Sequence, residues 1–365
     1  MATEIQRIIN TTTNEFIKGE VNQLFRTRRL WAMINSRGLI SYGHGGDKLD
    51  WKVRFKQGSL QGFQYGDTLT FSPVDRWVTA QLEYRGYAMV DQLHKIEKLK
   101  NRTSAGIVKY YSDLSKIMMD EFKEKLPEEL YIDGNATGNT KRFHGIESFF
   151  GVSGASASAP IGTTSDTYAG LSTALGNKGG SWSGTWPGGK GDAHYDYFAP
   201  LVVDYTSAVA AASGGWSAST KTWPNTCEEA LAFGFIKAKK LSKNHTLDVC
   251  ILNEELFRQF ANKQRDKEQI TISRGDGSSG LVKLGFSDVF NFDGVDVTWE
   301  YGVPADAGYG LPLDQLEVCS MQDELIVADG PDYDIATKTD RFSLDMFGNF
   351  KVETVKGFVK FDSVT

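Results

Sequence analysis

Leu49-Asp50-Trp51-Lys52-Val53-Arg54-Phe55-Lys56 alternates apolar and charged side chains without a break. That period of two is the signature of a half-buried β-strand. A glycine-bearing tip follows, through Gln57, Gly58, Gly62 and Gly66. The alternation then resumes, with Val78, Ala80, Leu82 and Tyr84 set against Thr79, Gln81, Glu83 and Arg85. The two runs predict a long two-stranded hairpin over 47–90. Two strands alone are marginally stable in water. The apolar face must therefore rest on something, and the hairpin's length points to a partner molecule.

On the N-terminal side, residues 14–36 predict a short amphipathic helix and an arm. Phe16, Ile17, Val21, Leu24, Phe25, Trp31 and Ile34 recur at near-helical spacing. Ser41-Tyr42-Gly43-His44-Gly45-Gly46 breaks that pattern as a flexible linker. On the C-terminal side, 102–126 is the strongest helix in the sequence. Ile107, Tyr110, Tyr111, Leu114, Ile117, Met118, Phe122 and Leu126 form one stripe, Thr103 or Ser104 can cap it, and Pro127 ends it.

Residues 151–224 are rich in Gly, Ser, Ala and Thr, with Trp182, Trp186, Trp216 and Trp223 among glycines. They predict an insertion or loop system, with a buried helix around Leu201–Ala212. From 225 the pattern is mixed α and β. Thr226-Cys227-Glu228-Glu229 predicts a capping box opening a helix to about Leu241, and Asn253 predicts a second cap. Strands are expected at Leu247–Leu252, Ile270–Ile272, Leu281–Leu284, Val295–Trp299, Gln315–Cys319 and Leu325–Val327, and within Arg341–Lys360.

The chain has 365 residues and a net charge of −6. General nucleic-acid binding is not implied by that balance. No apolar run reaches the roughly 20 residues of a membrane helix, and the polar N-terminus lacks a secretion signal. Cys227, Cys250 and Cys319 are too scattered for a disulfide framework or a CxxC zinc site. Charge is polarised along the chain. Residues 1–37 carry six basic side chains against three acidic; residues 288–365 carry five against sixteen. Such asymmetry suits head-to-tail contact between copies of the chain, although two solvated faces would give the same count.

Nothing in the sequence assembles into a catalytic constellation. Gly184-Thr185-Trp186-Pro187-Gly188-Gly189-Lys190-Gly191 approaches the phosphate-binding loop pattern but lacks the final hydroxyl residue. His44, His94, His144, His194 and His245 show no metal-ligand spacing. The pairs Glu228-Glu229 and Glu254-Glu255 fall in first turns of predicted helices, where acids complement the dipole. The expectation is a non-enzymatic protein without metal or cofactor.

The order of elements is more specific than any single motif. The basic arm and hairpin are followed by Arg85-Gly86-Tyr87-Ala88-Met89-Val90-Asp91, the long helix, Tyr131-Ile132-Asp133-Gly134-Asn135, and Phe143-His144-Gly145-Ile146-Glu147-Ser148-Phe149-Phe150. Thr167-Tyr168-Ala169-Gly170-Leu171-Ser172 comes next, then Leu284-Gly285-Phe286, Phe292-Asp293-Gly294-Val295-Asp296-Val297 and Val303-Pro304. Over roughly 14–365 this order resembles a tailed-bacteriophage major capsid protein, whose fold encapsulins share. The resemblance implies an α+β fold with an N-terminal arm (1–46), an extended hairpin loop (47–90) and a peripheral domain (91–150) whose spine helix is 102–126. An axial domain (151–320), with a Gly/Trp-rich insertion at about 176–224, and C-terminal strands (321–365) returning to the peripheral domain complete it.

The resemblance further implies hexamers and pentamers closing into an icosahedral shell around double-stranded DNA. That places the protein in the virion capsid, assembled in the host cytoplasm. Expected partners are other copies of the chain, a separate scaffolding protein, portal and decoration proteins, and packaged DNA contacted without sequence specificity; no membrane is implied. Many relatives carry a cleaved N-terminal scaffolding domain; none is visible in the roughly 46 residues before this hairpin, so the resemblance implies a separate scaffolding protein, or none. The implied assembly contacts are Trp51, Phe55, Lys56, Phe63 and Tyr65 on the hairpin, and Arg26, Arg28 and Arg29 on the arm. Some relatives form lysine–asparagine cross-links, for which Lys56 and Asn349 are conceivable partners. Two other readings compete: an encapsulin-type compartment shell, and a carbohydrate-binding protein that stacks sugars on the Trp-rich region.

Overall fold

A computed structural model describes residues 28–54, 60–100, 104–157, 159–174, 198–241, 247–265 and 288–364. The chain enters through helix α1 (Arg29–Ser36), which buries Leu30, Met33 and Ile34 on one side. The rest of the amphipathic pattern predicted over 14–36 lies outside the described residues. The short strand β1 (Ile40–Ser41) leads into the hairpin strands β2 (Lys48–Arg54) and β3 (Trp77–Glu83). They pair antiparallel, with Trp51 opposite Ala80 and Val53 opposite Val78.

The return strand is shorter than the sequence suggested. After Tyr84 the chain turns into β4 (Arg85–His94), which leaves the hairpin and pairs with a distant strand. The alternation runs on past the boundary because β4 is itself half-buried, so periodicity alone cannot locate the change of partner. The hairpin's apolar face also finds its support at home. Leu49, Val53, Ala80 and Leu82 are buried in the main core of the same chain.

Helices α2 (Lys95–Lys100) and α3 (Ser104–Lys125) follow, with a 3₁₀ turn over Leu126–Tyr131. The 22 residues of α3 span about 33 Å. Leu114, Met118 and Phe122 recur every fourth residue and are buried, as is Leu126 just beyond. Ile117, expected on the same stripe, is exposed.

Strands β5 (Val152–Ala155) and β6 (Ile161–Thr164) begin a second sheet, and β7 (Thr167–Tyr168) and β8 (Leu171–Ser172) make a two-residue ladder beside it. Leu201–Asp204, expected to open a buried helix, is strand β9. All four of its residues are buried, and a strand covered on both faces carries no alternation to betray it. Helix α4 (Trp223–Leu241) starts before the expected cap. Thr226 lies inside its first turns, and its hydroxyl donates to the carbonyls of Tyr205 (2.9 Å) and Thr222 (3.0 Å). Glu229 accepts instead from the Ser217 backbone N–H at 2.8 Å.

Strand β10 (Val249–Leu252) and helix α5 (Glu254–Arg265) come next. Asn253 does cap α5, its Oδ1 accepting the Glu255 N–H at 3.1 Å. The strands expected at 270–272 and 281–284 lie outside the described residues. Then come β11 (Phe290–Phe292), β12 (Val295–Trp299), β13 (Gly308–Leu311), β14 (Leu316–Ser320), β15 (Val327–Asp334), β16 (Thr339–Val352) and β17 (Val359–Asp362).

Two sheets organise these strands. In the five-stranded sheet the order is β1-β14-β16-β15, and β16 also carries β4 along its other side. The eight-stranded sheet runs β11-β12-β10-β13-β17-β9-β6-β5. The last strands therefore part company: β16 anchors the first sheet, while β17 is inserted between β13 and β9 of the second. The second sheet is covered on both faces. Val249 and Ile251 point into the main core, whereas Cys250 and Leu252 point into a second core under α4 and α5. Among the described residues no helix is long and apolar enough to cross a membrane.

Candidate assembly surface

The hairpin divides into a root tied to its own chain and a tip that is not. At the root, the Trp51 indole N–H donates to the Glu353 carbonyl at 2.9 Å. The Lys351 ammonium sits 5.7 Å from the Trp51 ring centroid. Lys48 and Glu83 pair across the strands at 3.1 Å. Trp51 is thus a half-buried staple within the protomer.

Residues 60–76 form the tip and have no regular structure. The Gln61 side chain clasps Thr70, giving Nε2 to its carbonyl (2.7 Å) and taking its N–H on Oε1 (3.0 Å). The Asp67 carboxylate accepts the Gln64 N–H at 2.7 Å. These local bonds shape the turn, and every residue from 60 to 73 remains exposed. Leu60 and Tyr65 stand fully exposed, Phe71 is 90% exposed and Phe63 71%. An apolar row of this kind marks a surface that gains by being covered. Of the five hairpin residues expected at contacts, Phe63 and Tyr65 lie on this tip, Trp51 does not, and Phe55 and Lys56 lie outside the described residues.

The arm arginines are spent inside the chain. Arg28 donates to the Tyr301 carbonyl (3.0 Å) and pairs with Glu124 (3.1 Å) and Glu128 (2.7 Å) at the end of α3. Arg29, 2% exposed, donates to the Asp288 carbonyl (2.9 Å) and to Thr298, pairs with the Asp288 carboxylate (3.4 Å), and lies 5.0 Å from the Trp299 ring centroid. Burial lowers its pKa against the pull of Asp288 and Glu300. Both guanidiniums are therefore engaged within the chain. Arg26 lies outside the described residues.

Beside them sits Glu300, which the sequence reading passed over. Its Oε2 accepts the Leu30 N–H (2.8 Å) and the Tyr131 hydroxyl (3.1 Å). Burial pushes its pKa up to about 7, opposed by those two hydrogen bonds and by Arg28 and Arg29. The carboxyl thus locks the start of α1 against β12 and the 3₁₀ turn after α3. A second buried network joins the 3₁₀ turn at 146–149 to the eight-stranded sheet. Lys360 contacts Glu147 and pairs with Asp362 at 2.9 Å, while the Tyr309 hydroxyl donates to Glu147 at 2.6 Å.

Asn349 is fully buried. Its amide nitrogen donates to the Glu83 carbonyl (2.7 Å) and to His144 Nδ1 (2.9 Å), and its oxygen accepts the N–H groups of His144 (3.0 Å) and Phe350 (2.8 Å). Burial, then Arg85, lowers the His144 pKa to about 4, so the ring stays neutral and can accept. An amide engaged on every side is not available to a lysine from another subunit. Two of the four tryptophans of the Trp-rich region are likewise engaged within the chain. Trp216 and Trp223 are buried, their indole N–H groups donating to the carbonyls of Asp204 (3.0 Å) and Leu256 (2.8 Å). Trp182, Trp186 and the Lys190 loop lie outside the described residues.

A long helix, two large sheets and a hairpin whose tip lies outside the core make up a fold shared with solved phage capsid subunits. The capsid of cyanophage A-1(L) superposes with a TM-score of 0.61 at 15% identity, covering 97% of each chain. The capsid of a native GTA particle gives 0.54 at 13% identity, covering 97% of this chain and 94% of that one. For the capsid of Myoviridae phage XM1 the values are 0.53 and 11%, with 95% and 96% covered. No protein-family model and no curated protein matches the chain.

Proposed function

We propose that this chain is a major capsid protein, a structural and non-enzymatic subunit of a virion. Hexamers and pentamers of it close into an icosahedral shell around phage double-stranded DNA, assembled in the host cytoplasm. The observation that carries this reading is the tip at 60–76: a row of exposed aromatic and aliphatic side chains on a rigidly rooted hairpin, on a fold shared with capsid subunits. A tip that gains nothing from its own chain gains from the neighbouring subunit, and such heterologous contacts close into rings. The domain division is proposed with it: arm, extended loop, peripheral domain around α3, and axial domain around the eight-stranded sheet. A scaffolding protein, a portal and decoration proteins are the further partners of such a shell. Any arm contact with DNA falls to residues before Arg28, since Arg28 and Arg29 are already paired.

Sedimentation velocity of the purified chain, expressed with and without its neighbouring genes, tests the proposal. Species of several hundred kilodaltons or of megadaltons are expected. A sharp 40.4 kDa monomer under both conditions would overturn it. Closed shells filled with a protein cargo and devoid of DNA would favour the compartment reading instead.

A further inference from the structure

Four side chains from distant parts of the chain converge where the linker enters the hairpin. Strand β1 lies parallel to β14, with Ser41 opposite Cys319. Just beyond it, the His44 N–H donates to the Ser320 carbonyl at 3.1 Å and the Gly43 N–H to that of Gln322 at 3.1 Å, holding the linker against β14. Glu317 and Cys319 are two residues apart on β14 and so project from one face. The ligand atoms of His44, Glu317 and Cys319 all lie within 4.8 Å of one another. The Ser41 hydroxyl adjoins them, 2.6 Å from His44 Nε2 and 3.5 Å from Cys319 Sγ.

We propose that His44, Glu317 and Cys319 form a binding site for a zinc-class divalent cation, completed by the Ser41 hydroxyl or a water in its place. The donor set is thiolate, imidazole and carboxylate, which suits zinc and disfavours magnesium and calcium. Zinc–ligand bonds of about 2.0–2.3 Å put tetrahedral donor atoms roughly 3.3–3.8 Å apart. The cluster therefore needs to close by about an ångström. The half-exposed His44 side chain can supply that movement by rotating about its own bonds while its backbone N–H stays on the Ser320 carbonyl. Cys319 is buried, while His44 and Glu317 are half-exposed and give the ion a route from solvent.

The nearby charge is accommodated. Lys351 pairs with Glu317 at 2.8 Å but also with Glu353 at 3.6 Å, so Glu317 can turn an oxygen to the metal and leave Lys351 a carboxylate. Burial raises the Cys319 thiol pKa to about 11, and Lys351 opposes that. Binding replaces the S–H bond with a metal–sulfur bond and releases one proton to solvent, so affinity falls as pH falls. The bound ion would pin the hairpin linker to the five-stranded sheet. None of this depends on the capsid reading.

Cobalt(II) titration of the full-length, chelator-stripped chain tests the site. The expected result is tetrahedral visible bands plus a near-ultraviolet thiolate-to-cobalt charge-transfer band. Both should saturate at one ion per chain and be displaced by zinc. His44→Ala and Cys319→Ser should each weaken binding about tenfold or more, and Cys319→Ser should abolish the charge-transfer band. Cys227→Ser and Cys250→Ser should retain it. No charge-transfer band, or one unchanged in His44→Ala, overturns the proposal. Should Cys319→Ser fail to fold, His44→Ala decides alone, its fold verified by circular dichroism.

Discussion

Replacing Phe63, Tyr65 and Phe71 together by serine should abolish assembly while leaving the protomer as stable as before. The three rings touch little of their own chain, so each substitution should change unfolding free energy by no more than about 0.5 kcal/mol. Covered by a neighbour, each ring would bury roughly 150 Å² or more. At about 25 cal/mol per Å² that is about 4 kcal/mol per ring before association costs. Immobilising the tip and desolvating its polar groups reduce this to the roughly 1–3 kcal/mol typical of a contact residue. Three rings then contribute at least about 3 kcal/mol per subunit contact, a weakening of association of about 100-fold or more. A shell repeats that loss at every copy. Denaturant unfolding of the dissociated protomer and sedimentation of the assembled material separate the two effects. A wild-type mass distribution for the triple variant would refute the assignment of the tip. Loss of several kcal/mol in the protomer would show that the tip belongs to its own core. Trp51→Ala is the useful contrast: its indole is tied to Glu353 in the same chain, so its cost should appear in protomer stability.

Three further outcomes follow from the buried groups. Glu300 keeps its proton in the folded state up to about pH 7, whereas unfolded glutamate loses it near 4.5; its share of stability is full at acidic pH and falls by about 3 kcal/mol as pH rises from 4.5 to 7. Urea unfolding across pH 5–8 should show a flatter profile for Glu300→Gln, and overlaid profiles would remove Glu300 as the source. Arg29→Ala should lose about 2–4 kcal/mol in the same assay, because it empties a buried site and takes the donor from the Asp288 carbonyl. Arg29→Lys should rescue it poorly, since an ammonium cannot reproduce a guanidinium that donates to Asp288 and Thr298 and stacks on Trp299. Trp216→Ala and Trp223→Ala should each cost about 3–5 kcal/mol of stability by opening the second core; unchanged stability with loss of glycan binding would restore the sugar-platform reading.

What the sequence disclosed follows from how each element is covered. The strands at 48–54 and 77–83 bury one face only, so alternation exposes them; α3 buries one stripe, so Leu114, Met118 and Phe122 repeat every fourth residue. Strand β9 and helix α4 escaped accurate reading for the opposite reason. Leu201–Asp204 is covered on both faces and has no period, and the capping-box pattern at Thr226 matches a helix start that the chain had already made at Trp223. The cluster at Ser41, His44, Glu317 and Cys319 was invisible because its members meet only through the parallel pairing of β1 with β14, across 278 positions. Glu300 was hidden likewise: its neighbours, the Leu30 N–H and the Tyr131 hydroxyl, lie far from it in sequence.

The polarised charge of the two ends was legible, but its use was not. A basic arm and an acidic C-terminal part suggested attraction between copies. In the protomer, Arg29 instead meets Asp288 beside Glu300, and Arg28 reaches the Tyr301 carbonyl and the acids at the end of α3. Part of that complementarity is therefore satisfied within the chain, where salt screens a partly buried pair less than an exposed one. On the proposed function, contact between copies draws more heavily on apolar surface, which the exposed tip at 60–76 offers. Raising the salt concentration should accordingly weaken assembly far less than the triple substitution at Phe63, Tyr65 and Phe71; shells that dissolve in moderate salt while tolerating that substitution would return the main role to the charged ends.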